Sequence, residues 1–344
     1  MVCKMVENVI FLGAGASGAK KALLQDQLFE KYFSSNNNEH AQMNERLYEF
    51  FKDFFAINVK ENLDEDKFPS FEEILGILEL SINREESFKN YGMNYDDPKI
   101  QQIREDLIFL IGIVLDKELE NMDATYHEKL VKRLIEEDNI LETSFISLNY
   151  DILLDNVLTD IQSSYDLDLD YGIEFTNFER NHGGSEWKSP RPLKSVQLYK
   201  PHGSLNWLYC PTCISTTLTP KMKGVIRLYF EPKPCVTCGS KMIPIIIPPT
   251  FFKVMSNRYL QEIWYKSEDV LKNAKNIYFC GYSFPDADIH IKYLLKRAEV
   301  NTNQNPEIHI INNSDEARLR YERFFKNEVN WTGISFEEFC DNGV

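Results

Sequence analysis

The chain has 344 residues and a formal net charge of −15, from 53 acidic and 38 basic side chains. That balance argues against a direct nucleic-acid binder or an anionic-membrane binder, because rows of phosphates need clustered Lys and Arg. No apolar run approaches a membrane span, and the stretch before Gly13 is too short and polar for a secretory signal, so a cytoplasmic protein is expected, with no membrane partner.

Val9-Ile10-Phe11-Leu12 runs straight into Gly13, as a strand buried on both faces does. Gly13, Gly15 and Gly18 satisfy G-x-G-x-x-G at the strand-to-helix turn. Glycines there let the backbone approach a pyrophosphate, and the next helix offers free N–H groups. A dehydrogenase would add a second strand with an acidic end about 20 residues on. Here residues 19–25 read as helix and more helix follows, so the turn reads as a nucleotide site of another kind. Helical patterning continues to about residue 138. Met43, Leu47, Phe51 and Phe54 recur at helical spacing, and Ser70 with Glu73 forms a capping box ahead of Ile74, Leu75 and Leu78. Ile100, Ile103, Leu107, Leu110, Ile111 and Val114 mark a third helix, and 36–38 and 90–98 read as loops. No constellation of chemical groups stands out here. The region reads as a helical module that packs on a sheet, lids a pocket or makes an oligomer contact.

A second strand, 144–148, ends in Asn149-Tyr150-Asp151 before a helix at 152–158. Ligands of open α/β sheets bind outside the carboxyl ends of the strands, which places Asn149 and Asp151 on the rim of Gly13 to Gly18. Asp151 has a competing role as helix N-cap; Asn149 has none. Residues 165–184 read as a surface loop or short hairpin. The strand 196–199 then ends on Lys200-Pro201-His202-Gly203. An imidazole with an ordinary pKa near 6.5 suits a general base, and the other five histidines lie in contexts that suggest nothing comparable.

Cys210-x-x-Cys213 and Cys235-x-x-Cys238 follow, 21 residues apart. Two such knuckles complete a tetrahedral shell of four thiolates, the usual structural zinc site, and two pairs so close favour a shared metal over redox chemistry. Cys3, Cys280 and Cys340 read as unpaired thiols. The stretch 243–247 returns the chain to the core. A helix at 259–272, a strand at 277–280 ending on Gly281-Tyr282-Ser283, a helix at 289–298, a strand at 308–311 ending on Asn312 and a helix at 315–325 complete it. This rhythm is that of an α/β protein with a doubly wound parallel sheet.

In that order, Gly13-Ala14-Gly15-Ala16-Ser17, Asn149-Tyr150-Asp151, His202-Gly203, the paired cysteines, Gly281-Tyr282-Ser283 and Asn312 resemble the sirtuin family of NAD-dependent enzymes. The resemblance covers nearly all of the chain outside the helical module. It implies a Rossmann-like NAD-binding domain in three segments, 1–30, 141–208 and 243–344. A helical insertion at 31–140 and a zinc ribbon at 209–242 would interrupt it, with the NAD pocket between large domain and ribbon. Gly13, Ala14, Gly15 and Ser17 would line the phosphates and ribose. Asn149 and Asp151 would hold the nicotinamide ribose and nicotinamide, His202 would be the catalytic base, and Gly281, Ser283 and Asn312 would take the adenosine side.

The departures are informative. Deacylases of the family follow the glycine turn with Gly-Ile-Pro-x-Phe-Arg, where this chain reads Gly18-Ala19-Lys20-Lys21-Ala22-Leu23, and they usually carry glutamine where this chain has Leu148. With its long insertion the chain is more similar to bacterial sirtuin-like proteins of antiphage defence, which destroy NAD, although many of those lack the cysteine module. The expected function is hydrolysis of NAD+ to nicotinamide and ADP-ribose, with Asn149, Asp151 and His202 as the catalytic set. The alternatives are a protein lysine deacylase using the same residues and a non-catalytic NAD or ADP-ribose sensor. The same resemblance implies a homo-oligomer, or a partner such as a hexameric ATPase of a defence system, that holds the activity in check.

Overall fold

The computed structural model describes residues 6–17, 27–34, 40–60, 68–93, 97–119, 124–180, 183–219, 234–246, 257–286, 288–302 and 304–343. Cys3, Gly18, the expected helix at 19–25 and the expected loop at 36–38 lie outside the described residues, as do 94–96 of the 90–98 loop. The chain divides into two compact units, one of residues 1–22, 122–247 and 255–344, the other of 23–121 and 248–254.

The elements begin with β1 (Asn8–Leu12) and α1 (Ala14–Ser17), then α2 (Gln27–Ser34), α3 (Ala41–Phe55), α4 (Phe71–Arg84) and α5 (Lys99–Leu119). Next come α6 (Thr125–Glu136), β2 (Thr143–Ser147), α7 (Leu153–Tyr165), β3 (Asp168–Asp170), β4 (Asn177–Arg180) and β5 (Gly183–Glu186). They are followed by β6 (Ser195–Tyr199), β7 (Gly203–Tyr209), β8 (Thr216–Leu218), β9 (Ile243–Ile246) and α8 (Arg258–Asn273). The chain ends with β10 (Asn276–Cys280), α9 (Ile289–Asn301), β11 (Glu307–Ile311), α10 (Asp315–Phe324), β12 (Val329–Trp331) and α11 (Phe336–Asn342).

The first unit holds a seven-stranded sheet in the order β12-β11-β10-β1-β2-β6-β3, parallel at every pairing. It is the Rossmann-like, doubly wound sheet expected from the strand–turn–helix rhythm. β1 lies at its centre because both its faces are apolar, with Val9 and Phe11 buried on one and Ile10 and Leu12 on the other. Leu12 is level with both Cys280 and Ser147, and Cys280 is level with Ile311. A parallel strand must be left by a crossover, so these level strand ends gather the turns at 13–17, 148–152, 281–286 and 312–314 on one rim.

A second sheet in this unit runs β5-β4-β8-β7-β9 and is mixed, β4 pairing parallel with β8 and antiparallel with β5. The stretch 165–184, expected as a surface loop or short hairpin, contains part of a β4–β5 hairpin and also the short edge strand β3. β9 joins this smaller sheet by pairing antiparallel with β7. The chain therefore passes from the large sheet to the small one between β6 and β7, through residues 200–202.

In the second unit an aromatic core forms around Phe29, whose ring stacks on Phe71 at 4.9 Å and meets Phe51 edge-on at 5.0 Å. The capping box at the start of α4 is present, Ser70 Oγ accepting from Glu73 N and Glu73 Oε2 from Ser70 N. Among the described residues no helix is long and apolar enough to cross a membrane.

Candidate functional site

Three turns of the rim are stitched together by their backbones. Gly13 N donates to Cys280 O at 3.0 Å, Gly15 N to Gly281 O at 2.8 Å and Gly281 N to Ile311 O at 3.0 Å. A Cβ on Gly13 would lie 2.5 Å from Tyr282 Cα, and one on Gly281, whose φ is +61°, would lie 2.4 Å from Ala16 N. The glycines thus have a packing reason that sequence alone did not suggest: they let the β1 and β10 turns meet backbone on backbone. Ala14 and Gly15 are exposed, although Gly15 shares in that contact, since a Cβ there would lie 2.9 Å from Gly281 Cα.

Asn149 and Ser17 join the β1 and β2 turns. Asn149 Nδ2 donates to Gly13 O at 2.8 Å and to Ser17 Oγ at 2.5 Å, and Ser17 Oγ donates to Asp151 Oδ2 at 2.5 Å. The other carboxylate oxygen, Asp151 Oδ1, accepts from Leu153 N at 3.1 Å in an Asx turn just ahead of α7, whose N-cap position is Ile152, so Asp151 belongs to the cluster without capping the helix. Its two oxygens are held in fixed directions before any ligand arrives.

His202 sits in the crossover between the two sheets. Gly203 N donates to Lys200 O at 2.9 Å, closing a four-residue turn with Pro201 in its second position, where a fixed φ is favoured. Gly203 has φ +83°, and a Cβ there would lie 2.0 Å from Ile245 O, so only glycine fits. The imidazole is 6% exposed, and its ring lies 6.2 Å from that of Tyr150. Asn149, Asp151, Ser17 and His202 therefore occupy turns that leave adjacent parallel strands, β1, β2 and β6.

On the other side of the rim, Asn312 spends both ends of its amide on local structure. Nδ2 donates to Tyr282 O at 3.3 Å, and Oδ1 accepts from Ser314 N at 2.9 Å. Ser283 is exposed, and its carbonyl accepts from Arg320 Nη1 at 3.1 Å.

Sequence reasoning missed two features near the rim. The first is a buried polar group around Lys200, Asp155, Tyr171 and Asn206; a lysine closing an apolar strand and an aspartate on the apolar face of α7 were its signals. The second is His127 of α6, 3% exposed, whose ring packs 5.3 Å from Phe336 and whose Nδ1 has no hydrogen-bond partner among the described residues. Burial lowers its pKa from the ordinary value, and the Asp151 and Asp155 carboxylates pull the other way. A histidine neutral when folded gains a proton only on unfolding, so its contribution is complete above about pH 6.5 and declines as the pH falls. Stability is expected to drop by up to about 1.4 kcal/mol per pH unit below that point. Urea melts from pH 7.5 to 5.5 check this, with His127→Phe expected to flatten the slope.

The four expected metal ligands come together. The Sγ atoms of Cys210, Cys213, Cys235 and Cys238 all lie within 4.8 Å of one another. The two knuckles repeat each other: Ile214 N donates to Cys210 O and Cys210 N to Ser215 O, while Gly239 N donates to Cys235 O and Cys235 N to Ser240 O. Burial pushes the Cys235 thiol up, but hydrogen bonds from Ser215 and from backbone N–H groups outweigh it and bring it down to about 6. Four soft donors at such separations, one poised as thiolate, fit a closed tetrahedral site for zinc. The matching positions Ile214 and Gly239 both have positive φ, +61° and +75°. For a β-branched residue that conformation is strained, and Ile214 is exposed. Ile214→Gly is therefore expected to stabilise the protein by about 0.5–1 kcal/mol, seen as a higher denaturant midpoint.

The model of a family described as SIR2-like domain matches residues 143–330. That span includes β2, β6, β7, β10 and β11 with Asn149, Asp151, His202 and all four cysteines. No curated protein matches. Among solved structures, one entitled "Sir2 bound to acetylated peptide" is 12% identical, with 97% of this chain and 90% of that chain covered and a TM-score of 0.41. "The Structural basis of Sirtuin Substrate Affinity" is 12% identical over 97% and 91%, at a TM-score of 0.43. "Sir2-p53 peptide-NAD+" is 13% identical over 97% and 90%, at 0.39.

Proposed function

This chain belongs to the SIR2-like family, whose membership implies an NAD+-dependent activity, and from that premise we propose that it hydrolyses NAD+ to nicotinamide and ADP-ribose. The observation that carries this reading is the Asn149–Ser17–Asp151 chain of hydrogen bonds, a polar cluster ending in a carboxylate with both oxygens oriented. In the reaction the bond from the ribose C1′ to the nicotinamide nitrogen breaks, and its electron pair neutralises the pyridinium. C1′ passes through an oxocarbenium-like state, and a water oxygen closes on it. Asp151 would face that positive charge and fix the ribose, Asn149 would orient the ribose or the water, and His202 would take the proton the water gives up.

Gly13, Ala14, Gly15 and Ser17 would line the phosphates and ribose; Gly281, Ser283 and Asn312 would flank the adenosine, Asn312 by holding the Tyr282 main chain. The four cysteines would hold a structural zinc ion, which takes no part in the bond change. Water as acceptor is supported by Leu148, which is buried and brings no polar group to the rim, and by the lack of the Pro-x-Phe-Arg segment after the glycine turn. These departures also support a role in antiphage defence by NAD+ depletion, with self-association or a partner ATPase holding the enzyme in check.

The test is NAD+ consumption by the purified protein with no acyl substrate, following nicotinamide and ADP-ribose together. Equimolar release of both supports hydrolysis. Turnover that appears only with an acylated peptide assigns a deacylase instead, and tight binding of intact NAD+ without turnover in either assay assigns a sensor.

A further inference from the structure

Lys200 is 1% exposed although it carries an ammonium group, and a buried charge persists only with partners. Its Nζ donates to the main-chain oxygen of Asp151 at 2.5 Å and to Asp155 Oδ2 at 3.1 Å. Asp155, equally buried, accepts at Oδ1 from Tyr171 Oη at 2.9 Å and from Asn206 Nδ2 at 3.4 Å. Burial and the Asp155 charge raise the Tyr171 phenol well above its ordinary pKa, so it remains a donor.

The main chain of Lys200 has a second task. Its carbonyl accepts from Gly203 N and closes the turn that carries His202. One residue thus grips the Asp151 turn with its side chain and the His202 turn with its backbone. A further bond, Leu205 N to Tyr150 O at 3.0 Å, ties the same two turns together. An apolar pair of equal volume would fill the space of Lys200 and Asp155 with little loss of stability. It would supply no donor for the Asp151 carbonyl.

We propose that Lys200 is a positioning residue of the NAD+-cleaving site, its buried ammonium fixing the Asp151 main chain relative to His202. The proposal rests on the hydrolase reading of that site. Lys200 touches no reacting atom in it; it sets the direction in which Asp151 presents its carboxylate.

Lys200→Met alone strands the Asp155 carboxylate and is expected to misfold, so the test uses Lys200→Met with Asp155→Asn, which removes both charges. The double variant is compared with the wild-type chain in amide hydrogen exchange and in NAD+ turnover. It is expected to fold, with exchange in residues 149–153 and 203–205 faster by about tenfold while β1 and β10 keep their protection. Its kcat is expected to fall by about 10²-fold with KM changed by less than about threefold, since misplacement acts on the transition state. A folded double variant with wild-type kcat overturns the proposal. Should the wild-type chain release no nicotinamide, the hydrolase reading fails. The exchange data then decide, and unchanged exchange in 149–153 overturns the positioning role by itself.

Discussion

His202→Ala is expected to lower NAD+ turnover by about 10²–10⁴-fold, the span a positioned general base supplies, or about 3–5.5 kcal/mol of transition-state stabilisation. The loss should fall on kcat, because the imidazole accepts a proton that leaves only as the water attacks. The backbone should survive the change. The turn is closed by Gly203 N on Lys200 O, and Trp264 Nε1 donates to Pro201 O at 2.9 Å, none of which involves the ring. Nicotinamide release by the variant, measured beside its melting temperature and metal content, separates chemistry from fold. Asn149→Ala should behave alike, with some loss of order added, because its amide also bridges Gly13 and Ser17. Turnover retained by both variants would remove these residues from the catalytic set.

Removing the metal is expected to have the larger effect on the fold. Each knuckle buries its first cysteine and exposes its second half: Cys210 and Cys235 are buried, while Cys213 is partly exposed, Cys238 is exposed and Val236 between the second pair is 68% exposed. With four thiols converging to within 4.8 Å, metal ligation is the main force available to hold the ribbon, and structural zinc in such sites contributes about 10–16 kcal/mol of apparent binding energy. Elemental analysis should find one zinc ion per chain, falling to a trace in Cys213→Ser with Cys238→Ser. Chelation should lower the melting temperature and collapse the protection of β7 and β8, which lead into and out of the first knuckle. A chain that carries no metal and melts the same with and without chelator would refute the site.

Much of this architecture was legible in the residues. Val9 to Leu12 followed by Gly13, and Ile277 to Cys280 followed by Gly281, announce buried parallel strands ending in turns, because apolar runs and glycine report local geometry. The cysteine knuckles were legible for the same reason, each being a turn of six residues. Asn149 and His202 stood out as polar residues closing apolar strands. Lys200 and Asp155 did not, because their signals, a lysine closing an apolar strand and an aspartate on the apolar side of a helix, point to a buried pair only once each is brought beside the other. Nor did the reason for Gly13, whose missing Cβ makes room for Tyr282 of a turn more than two hundred residues away. β9 is a similar case: as an apolar run it fits either sheet, and only its pairing with β7 assigns it to the smaller one.

By itself the sequence determined which residues stand at strand ends, where the helices are capped and which thiols share a site, all matters of neighbours along the chain. Tertiary structure decided which turn lies against which. Strands pair through backbone N–H and C=O groups that every residue carries, so the order β10-β1-β2-β6 leaves little mark in any local pattern. That order sets Ser17 between Asn149 and Asp151, and Lys200 beneath Asp151.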